Sequence, residues 1–161
     1  MKRNLRGFTL IELLIVVAII GIIVSIAVLN LLSAVERAKQ KKTMGDMRTF
    51  GTALESYNTD FNRYPAAAAS IPGTPSTPVT STTARAGLEP TYARKLPLND
   101  GWGSFLLYSA YNGNSEYVIL SGARNGVAEG LIGGGGATTN FNNDIIFTNG
   151  QFVQYPEGAQ N

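Results

Sequence analysis

The feature that most constrains this 161-residue chain is an almost unbroken apolar run from Phe8 to Leu32. Three cations precede the run, at Lys2, Arg3 and Arg6. A helix rises about 1.5 Å per residue, so about 20 apolar residues cover a hydrocarbon core of about 30 Å. The run therefore predicts a membrane-spanning helix. Because Lys and Arg beside such a helix stay on the cytoplasmic side, we expect the rest of the chain to lie outside the cytoplasm.

One carboxylate, Glu12, interrupts the run. An ionised carboxylate is costly in an apolar environment, so Glu12 needs either water or a partner. The residues leave two interpretations open. In the first, Glu12 lies near the membrane interface and reaches solvent. In the second, the chain is cut after Gly7, and the new ammonium of Phe8, four residues before Glu12, pairs with that carboxylate within one chain or between neighbouring chains.

The segment Gly7-Phe8-Thr9-Leu10-Ile11-Glu12, followed by an apolar helix, resembles the signature of type IV pilins and their type II secretion relatives, the pseudopilins. This resemblance implies that a prepilin peptidase cuts between Gly7 and Phe8 and methylates the new amine of Phe8. It also implies that Glu12 compensates the N-terminal charge of a neighbouring subunit during filament assembly. Many members have a proline late in the apolar helix, where this chain reads Val28-Leu29-Asn30.

Composition limits the function classes. The leader, residues 1–7, holds three of the 13 basic side chains, which leaves 10 against 11 acidic ones, so we do not predict nucleic-acid binding. The chain contains no Cys and no His, which removes the usual transition-metal ligands, the commonest general base and the Cys nucleophile. We therefore predict that it is not an enzyme. Residues 8–32 are expected to form the transmembrane and assembly helix, and residues 33–161 one extracytoplasmic globular domain.

The helix is expected to continue through residues 33–61, which contain no proline. Apolar side chains recur there at three- and four-residue steps, a pattern typical of a helix face that packs on a sheet. They are Met44, Met47, Phe50, Leu54, Tyr57 and Phe61. The opposite face is polar and is expected to be solvated, or to contact lipid headgroups or the next subunit. It consists of Glu36, Arg37, Lys39, Gln40, Lys41, Lys42 and Asp46.

The remainder predicts a low-complexity loop and a small antiparallel sheet. Residues 66–84 are uncharged and rich in Ala, Ser, Thr and Pro, typical of a mobile surface loop but also compatible with O-glycosylation or a contact between subunits. Two hairpins are expected, residues 104–111 with 116–121 and residues 144–148 with 151–155, separated by a Gly- and Asn-rich loop. The fold class is α+β: a long N-terminal helix, half membrane-spanning and half amphipathic, packed on the sheet as in type IV pilins.

The downstream spacing resembles one branch, the major pseudopilins of type II secretion. The resemblance rests on Ala38-Lys39-Gln40-Lys41-Lys42, Ala53-Leu54-Glu55-Ser56-Tyr57, Asp60, Arg63-Tyr64-Pro65, Lys95-Leu96-Pro97 and Asp100-Gly101-Trp102-Gly103. It covers most of the chain outside residues 66–84, and it implies a late loop that holds a stabilising calcium ion.

The match to that calcium loop is partial. Asp144-Ile145 fits the end of the loop, and Glu129 is the other nearby carboxylate. Arg124 and Asn125, however, stand where the family tends to place acid, and Asn142 and Asn143 are neutral. Because calcium prefers several oxygen ligands with carboxylates among them, Asp144 is a calcium candidate. The alternative is a metal-free loop held by Asn side chains and subunit contacts.

Three functions compete. The first is the major pseudopilin of a type II secretion system, a single-pass protein of the bacterial inner membrane that joins a periplasmic filament with the help of an assembly platform and minor pseudopilins. The second is a type IV pilin of a cell-surface fibre for adhesion, motility or DNA uptake. The third is a membrane-anchored enzyme, whose candidates, Asp60 with Asp100 or Ser121 beside Gly122, lack a paired base in the sequence.

Overall fold

The structure is a computed structural model that describes residues 7–66, 79–80, 82–131 and 133–158. The chain divides into two compact units, residues 1–37 and residues 38–161. One helix, α1, runs from Leu10 to Phe61 and contributes residues to both. This confirms the expectation of a long helix that continues past the apolar run.

In the first unit, α1 is long and apolar enough to cross a membrane. Its most apolar window of 18 residues has a mean hydropathy of 3.0, and none of that window is buried within the protein. The exposed fraction reaches 88% at Leu10 and is still 60% at Leu32. A helix that is apolar on every side and uncovered requires an apolar environment, which lipid or neighbouring helices supply.

In the second unit, the predicted apolar stripe of α1 forms one wall of the core. Met47, Phe50 and Leu54 are fully buried, and the Phe50 ring lies 5.6 Å from the ring of Tyr108. The stripe weakens towards the end of the helix, because Phe61 is 52% exposed. The sheet supplies the facing wall through the buried side chains of Tyr108, Tyr117, Ile119, Ile145 and Phe147.

The sheet has six strands, and the two predicted hairpins form its centre. The strands are β1 Val79–Thr80, β2 Leu107–Tyr111, β3 Glu116–Ser121, β4 Gly136–Thr138, β5 Ile145–Thr148 and β6 Gln151–Pro156, and their order is β1-β2-β3-β5-β6-β4. Every neighbouring pair is antiparallel except β4 and β6, which are parallel. The turn between β5 and β6 has positive φ at Asn149 and Gly150, as the Asn-Gly signal predicts for a tight hairpin.

Three expectations need correction. The loop prediction for residues 66–84 is wrong at its end, because a second helix, α2, runs from Thr82 to Leu88 and Ala84 in it is fully buried. Residues 67–78 and 81 of that loop lie outside the described residues. The sheet prediction missed β1, which lies within that predicted loop, and β4 with its parallel pairing. The polar face of α1 is not wholly solvated, since Glu36 and Gln40 are buried.

Candidate assembly and loop sites

The start of α1 is a capping box formed by Thr9 and Glu12. One carboxylate oxygen of Glu12 accepts hydrogen bonds from the Thr9 backbone N–H at 2.9 Å and from its hydroxyl at 2.8 Å. In return, the Thr9 oxygen accepts from the Glu12 backbone N–H at 3.3 Å. Such a reciprocal pair satisfies donors that the first turn of a helix leaves without partners. Glu12 therefore has a partner within its own chain.

Gly7 and Phe8 precede the helix. Residues 7–9 are not helical, and Phe8 is 74% exposed. The peptide bond between Gly7 and Phe8 thus lies in irregular backbone, which a peptidase can bind in an extended form. Cleavage at this bond, methylation of Phe8 and pairing of Glu12 with a neighbouring amine stay predictions.

In the second unit, Gly101 seats a loop directly on α1. The Gly101 backbone N–H donates to the Thr43 hydroxyl at 2.8 Å, and the Thr43 hydroxyl donates to the Lys39 carbonyl at 2.9 Å. A Cβ atom at residue 101 would overlap the Lys39 carbonyl, so only glycine permits this approach. The contact explains why Thr43 is fully buried on a helix face that reads as polar.

The neighbouring Asp100 organises the same loop. One of its carboxylate oxygens accepts from the backbone N–H groups of Trp102 and Ser104, both at 2.9 Å. The other accepts from the Ser121 hydroxyl at 2.7 Å, which joins the loop to β3. The Ser121 oxygen also accepts from the Ala123 backbone N–H at 3.1 Å. Sequence reasoning did not identify this junction.

The structure separates the residues considered for catalysis. Asp60 accepts from the Tyr92 hydroxyl at 2.6 Å, in a different hydrogen-bond network from Asp100, so these two carboxylates do not form a pair. Ser121 does have a carboxylate partner, contrary to the sequence interpretation, but the exposed fraction is 0% for Ser121 and 1% for Asp100. Their hydrogen bonds go to each other and to the backbone, which is the pattern of a structural junction.

The calcium candidate Asp144 is fully buried and holds the preceding loop. One carboxylate oxygen accepts from the backbone N–H groups of Glu129 and Gly130, both at 2.7 Å. The other oxygen, Oδ1, is buried with no hydrogen-bond partner. Burial raises the pKa of Asp144 to about 6, against the lowering effect of the two N–H groups, and the negative charge of Glu129 adds to the rise.

Three amide side-chain oxygens of the loop already accept hydrogen bonds. The side-chain oxygen of Asn125 accepts from the Val127 N–H, and that of Asn140 accepts from the Asn142 N–H, both at 3.0 Å. The side-chain oxygen of Asn142 accepts from the Arg124 guanidinium at 2.9 Å. Within the described ranges, no three Asp, Glu, His or Cys residues come close enough to hold a metal ion together. Because calcium takes 6–8 oxygen ligands, this donor set does not fit a calcium site.

Comparisons with known proteins give two family matches. The model described as "Prokaryotic N-terminal methylation motif" matches residues 2–28, and the model described as "Type II secretion system (T2SS), protein G" matches residues 30–141. The second match covers strands β1 to β4 and the Asp100 junction, and it ends before β5 and β6. The first covers Gly7, Phe8 and Glu12.

Similar curated proteins carry the name "Type II secretion system core protein G". The one from Klebsiella pneumoniae is 32% identical over 90% of this chain and 94% of its own length. The one from Dickeya chrysanthemi is 32% identical over 78% of this chain and 74% of its own length, and the one from Vibrio cholerae is 36% identical over 66% and 71%. No solved structure matches the chain significantly.

Proposed function

The chain belongs to the type II secretion system protein G family, and from that premise we propose that it is cut after Gly7, anchored by its apolar helix and then built into a periplasmic filament. As a member of this family it is a major pseudopilin subunit. In the proposal, residues 1–7 are a leader, residues 8–32 are the transmembrane and assembly helix, and residues 33–161 lie outside the cytoplasm.

Glu12 is the observation that carries the proposal. It is the one ionisable side chain between Phe8 and Val35, and it lies on an uncovered apolar helix. In the uncut chain Thr9 satisfies one of its oxygens, which makes the carboxylate tolerable before assembly. After cleavage, the ammonium of a neighbouring Phe8 offers a partner of opposite charge. The ammonium adds the attraction between opposite charges, which the neutral donors of Thr9 do not supply.

Assembly follows from the same physics. Leaving the bilayer is tolerable for about 20 apolar residues only if the growing filament offers an equally apolar surface and a partner for the carboxylate. A bundle of identical helices supplies both. The proposed partners are therefore further copies of this chain, a prepilin peptidase, an inner-membrane assembly platform and minor pseudopilins. We assign the chain no catalytic role, and no nucleic acid is required.

The surface-fibre alternative has less support. The protein G model matches residues 30–141, which include most of the outer domain, residues 33–161, rather than only the N-terminal helix that pilins and pseudopilins share. A periplasmic filament that assists protein secretion is therefore the favoured function. Locating the assembled subunit inside or outside the outer membrane tests this choice directly.

Glu12→Gln in the full chain tests the assembly role. The amide keeps an oxygen for Thr9 but removes the charge, so the variant should insert, be cut and be methylated, yet yield few filaments in a shearing and sedimentation assay. Ser25→Ala, a matched loss of one polar group in the same helix, should assemble normally. Normal filaments from Glu12→Gln would reject the pairing.

Gly7→Trp tests the junction. Intact-mass measurement should show the mature wild-type chain without residues 1–7 and with one added methyl group, and the Gly7→Trp chain at its full precursor mass. The same shortened mass in both proteins would show that the cut lies elsewhere.

A further inference from the structure

We propose that the Arg124 guanidinium closes the loop between Gly122 and Asp144 in place of a divalent cation, so that this chain folds its late loop without calcium. The inference concerns the outer domain alone and does not depend on how the subunit assembles. It starts from the observation that the oxygen ligands of the loop do not fit a calcium site.

Arg124 joins the two ends of the loop with two separate hydrogen bonds. It lies in a short 3₁₀ helix, Ala123–Asn125, directly after β3. Its backbone N–H donates to the Phe141 carbonyl at 3.2 Å, and its guanidinium Nε donates to the Asn142 side-chain oxygen at 2.9 Å. A bound cation would hold these segments together by attracting their oxygens. Here the Arg124 backbone N–H binds the Phe141 carbonyl and the Arg124 guanidinium binds the Asn142 oxygen.

The chain turns tightly where the loop begins. A Cβ atom at Gly122 would come within 2.7 Å of the Gly126 carbonyl carbon, so the chain turns there at the closest distance that glycine allows. Gly126 closes the 3₁₀ helix with φ at 68° and donates its N–H to the Gly122 carbonyl at 3.0 Å. This turn directs Arg124 towards residues 141–142.

The far end of the loop is positioned by Asp144 without an ion. Its Oδ2 atom holds the Glu129 and Gly130 N–H groups, and its backbone carbonyl accepts from the Gln154 side-chain amide at 2.8 Å. The other carboxylate oxygen, Oδ1, is buried without a hydrogen-bond partner, and a calcium ion would need 6–8 oxygen ligands.

Calcium would also meet unfavourable charge. The Asn142 oxygen is one of the few ligands that the loop offers, and the positive Arg124 side chain already binds it. Guanidinium cannot accept a hydrogen bond or give up its proton under ordinary conditions, so it cannot become a ligand itself. A divalent cation that bound this oxygen would have to displace Arg124. The positive guanidinium would then lie close to the positive ion.

The test is thermal unfolding of the full chain in detergent micelles, with excess calcium chloride or with the chelator EGTA. The wild-type Tm should be the same in both. Calcium at 100 times its Kd would add about 2.7 kcal/mol of stability, or about 11 °C in Tm for a domain of this size, so binding would be measured easily. A calcium-dependent rise in the wild-type Tm would overturn the proposal.

A pair of variants tests the role of the guanidinium. Arg124→Ala should lower Tm by about 4 °C in calcium and in EGTA alike, because a charge-assisted hydrogen bond is lost. Hydrogen exchange read by mass spectrometry should rise about tenfold in residues 122–144. Arg94→Ala, at an exposed arginine outside this loop, should change neither. If the Arg124 and Arg94 variants behave alike, the proposal fails.

Discussion

Replacing Gly101 with alanine tests the contact between the Asp100 loop and α1. The new methyl group would overlap the Lys39 carbonyl, which belongs to the helix backbone and cannot move aside as a side chain can. The loop must move away from α1 to remove this overlap, and the movement breaks the 2.8 Å hydrogen bond from the Gly101 N–H to Thr43. Overpacking costs about 1–3 kcal/mol and a lost hydrogen bond about 1 kcal/mol, so we expect about 3 kcal/mol of lost stability.

Gly45→Ala is the matched control, because it makes the same chemical change inside α1, where the expected effect on stability has the opposite sign. A Cβ atom at Gly45 meets nothing within 4 Å, and the residue lies inside α1. Alanine in a helix interior is favoured over glycine by about 1 kcal/mol, so this variant should gain stability. The two substitutions should differ by about 4 kcal/mol in the free energy of unfolding.

The fluorescence of Trp102 reports both variants, since it is the chain's one tryptophan and follows residue 101 directly. In thermal unfolding of the full chain in detergent, Gly101→Ala should lower Tm by about 12 °C and Gly45→Ala should raise it by about 4 °C, at about 4 °C per kcal/mol for this domain size. A Gly101→Ala protein that melts with the wild type would refute the close approach. A fall in both variants would refute the assignment of the difference to Lys39.

Three further predictions concern the same domain. Ser121→Ala should cost about 2 kcal/mol of stability, because it removes a donor from the buried Asp100 carboxylate. Tyr108→Phe should cost about 1 kcal/mol, because it leaves the Pro65 carbonyl without the 2.8 Å hydrogen bond from the buried hydroxyl. Asp144→Asn should change the pH dependence of unfolding. The pKa of Asp144 is raised in the folded state from 3.8 to about 6, so its contribution to stability is complete below about pH 4 and is lost as the pH rises through 6. The loss is about 3 kcal/mol at 1.36 kcal/mol per pKa unit, and the asparagine variant should lack it.

Urea unfolding of each variant beside the wild type measures these effects. An unchanged midpoint for Ser121→Ala would show that water or another group replaces the hydroxyl at Asp100. For Tyr108→Phe, a gain in stability would show that the hydroxyl is buried at a net cost. For Asp144, the deciding quantity is the difference between variant and wild type at pH 4 and at pH 7. Equal differences at the two values would contradict a raised pKa.

Local signals predicted the parts of the fold that depend on local physics. The apolar stripe of α1 follows helical spacing, and residues such as Met47 and Phe50 are indeed buried. The hairpin between β5 and β6 follows from Asn149-Gly150, because this dipeptide tolerates the positive φ that a tight turn needs. The capping box at Thr9 and Glu12 also has a local signal, a Thr followed three residues later by a Glu before an apolar run. Sequence reasoning did not predict it.

Other parts depend on contacts that no local pattern contains. Helix α2 lies in a stretch of Thr and Ala with little periodicity, and what secures it is the burial of Ala84 and Leu88. The strand β4 contains Gly136, a poor strand former, and exists because β6 lies beside it. Thr43 reads as part of a solvated helix face until the Gly101 loop covers it.

The parallel pairing of β4 with β6 also sets an order of events. β4 comes earlier in the chain, yet its described partner in the sheet is β6, the last strand along the sequence. The ribosome therefore makes Gly136–Thr138 before it makes β6, the strand with which this segment pairs. If the outer domain is carried across a membrane as it is made, its edge cannot close until the final segment has also emerged, and this delays folding until the polypeptide has reached the far side.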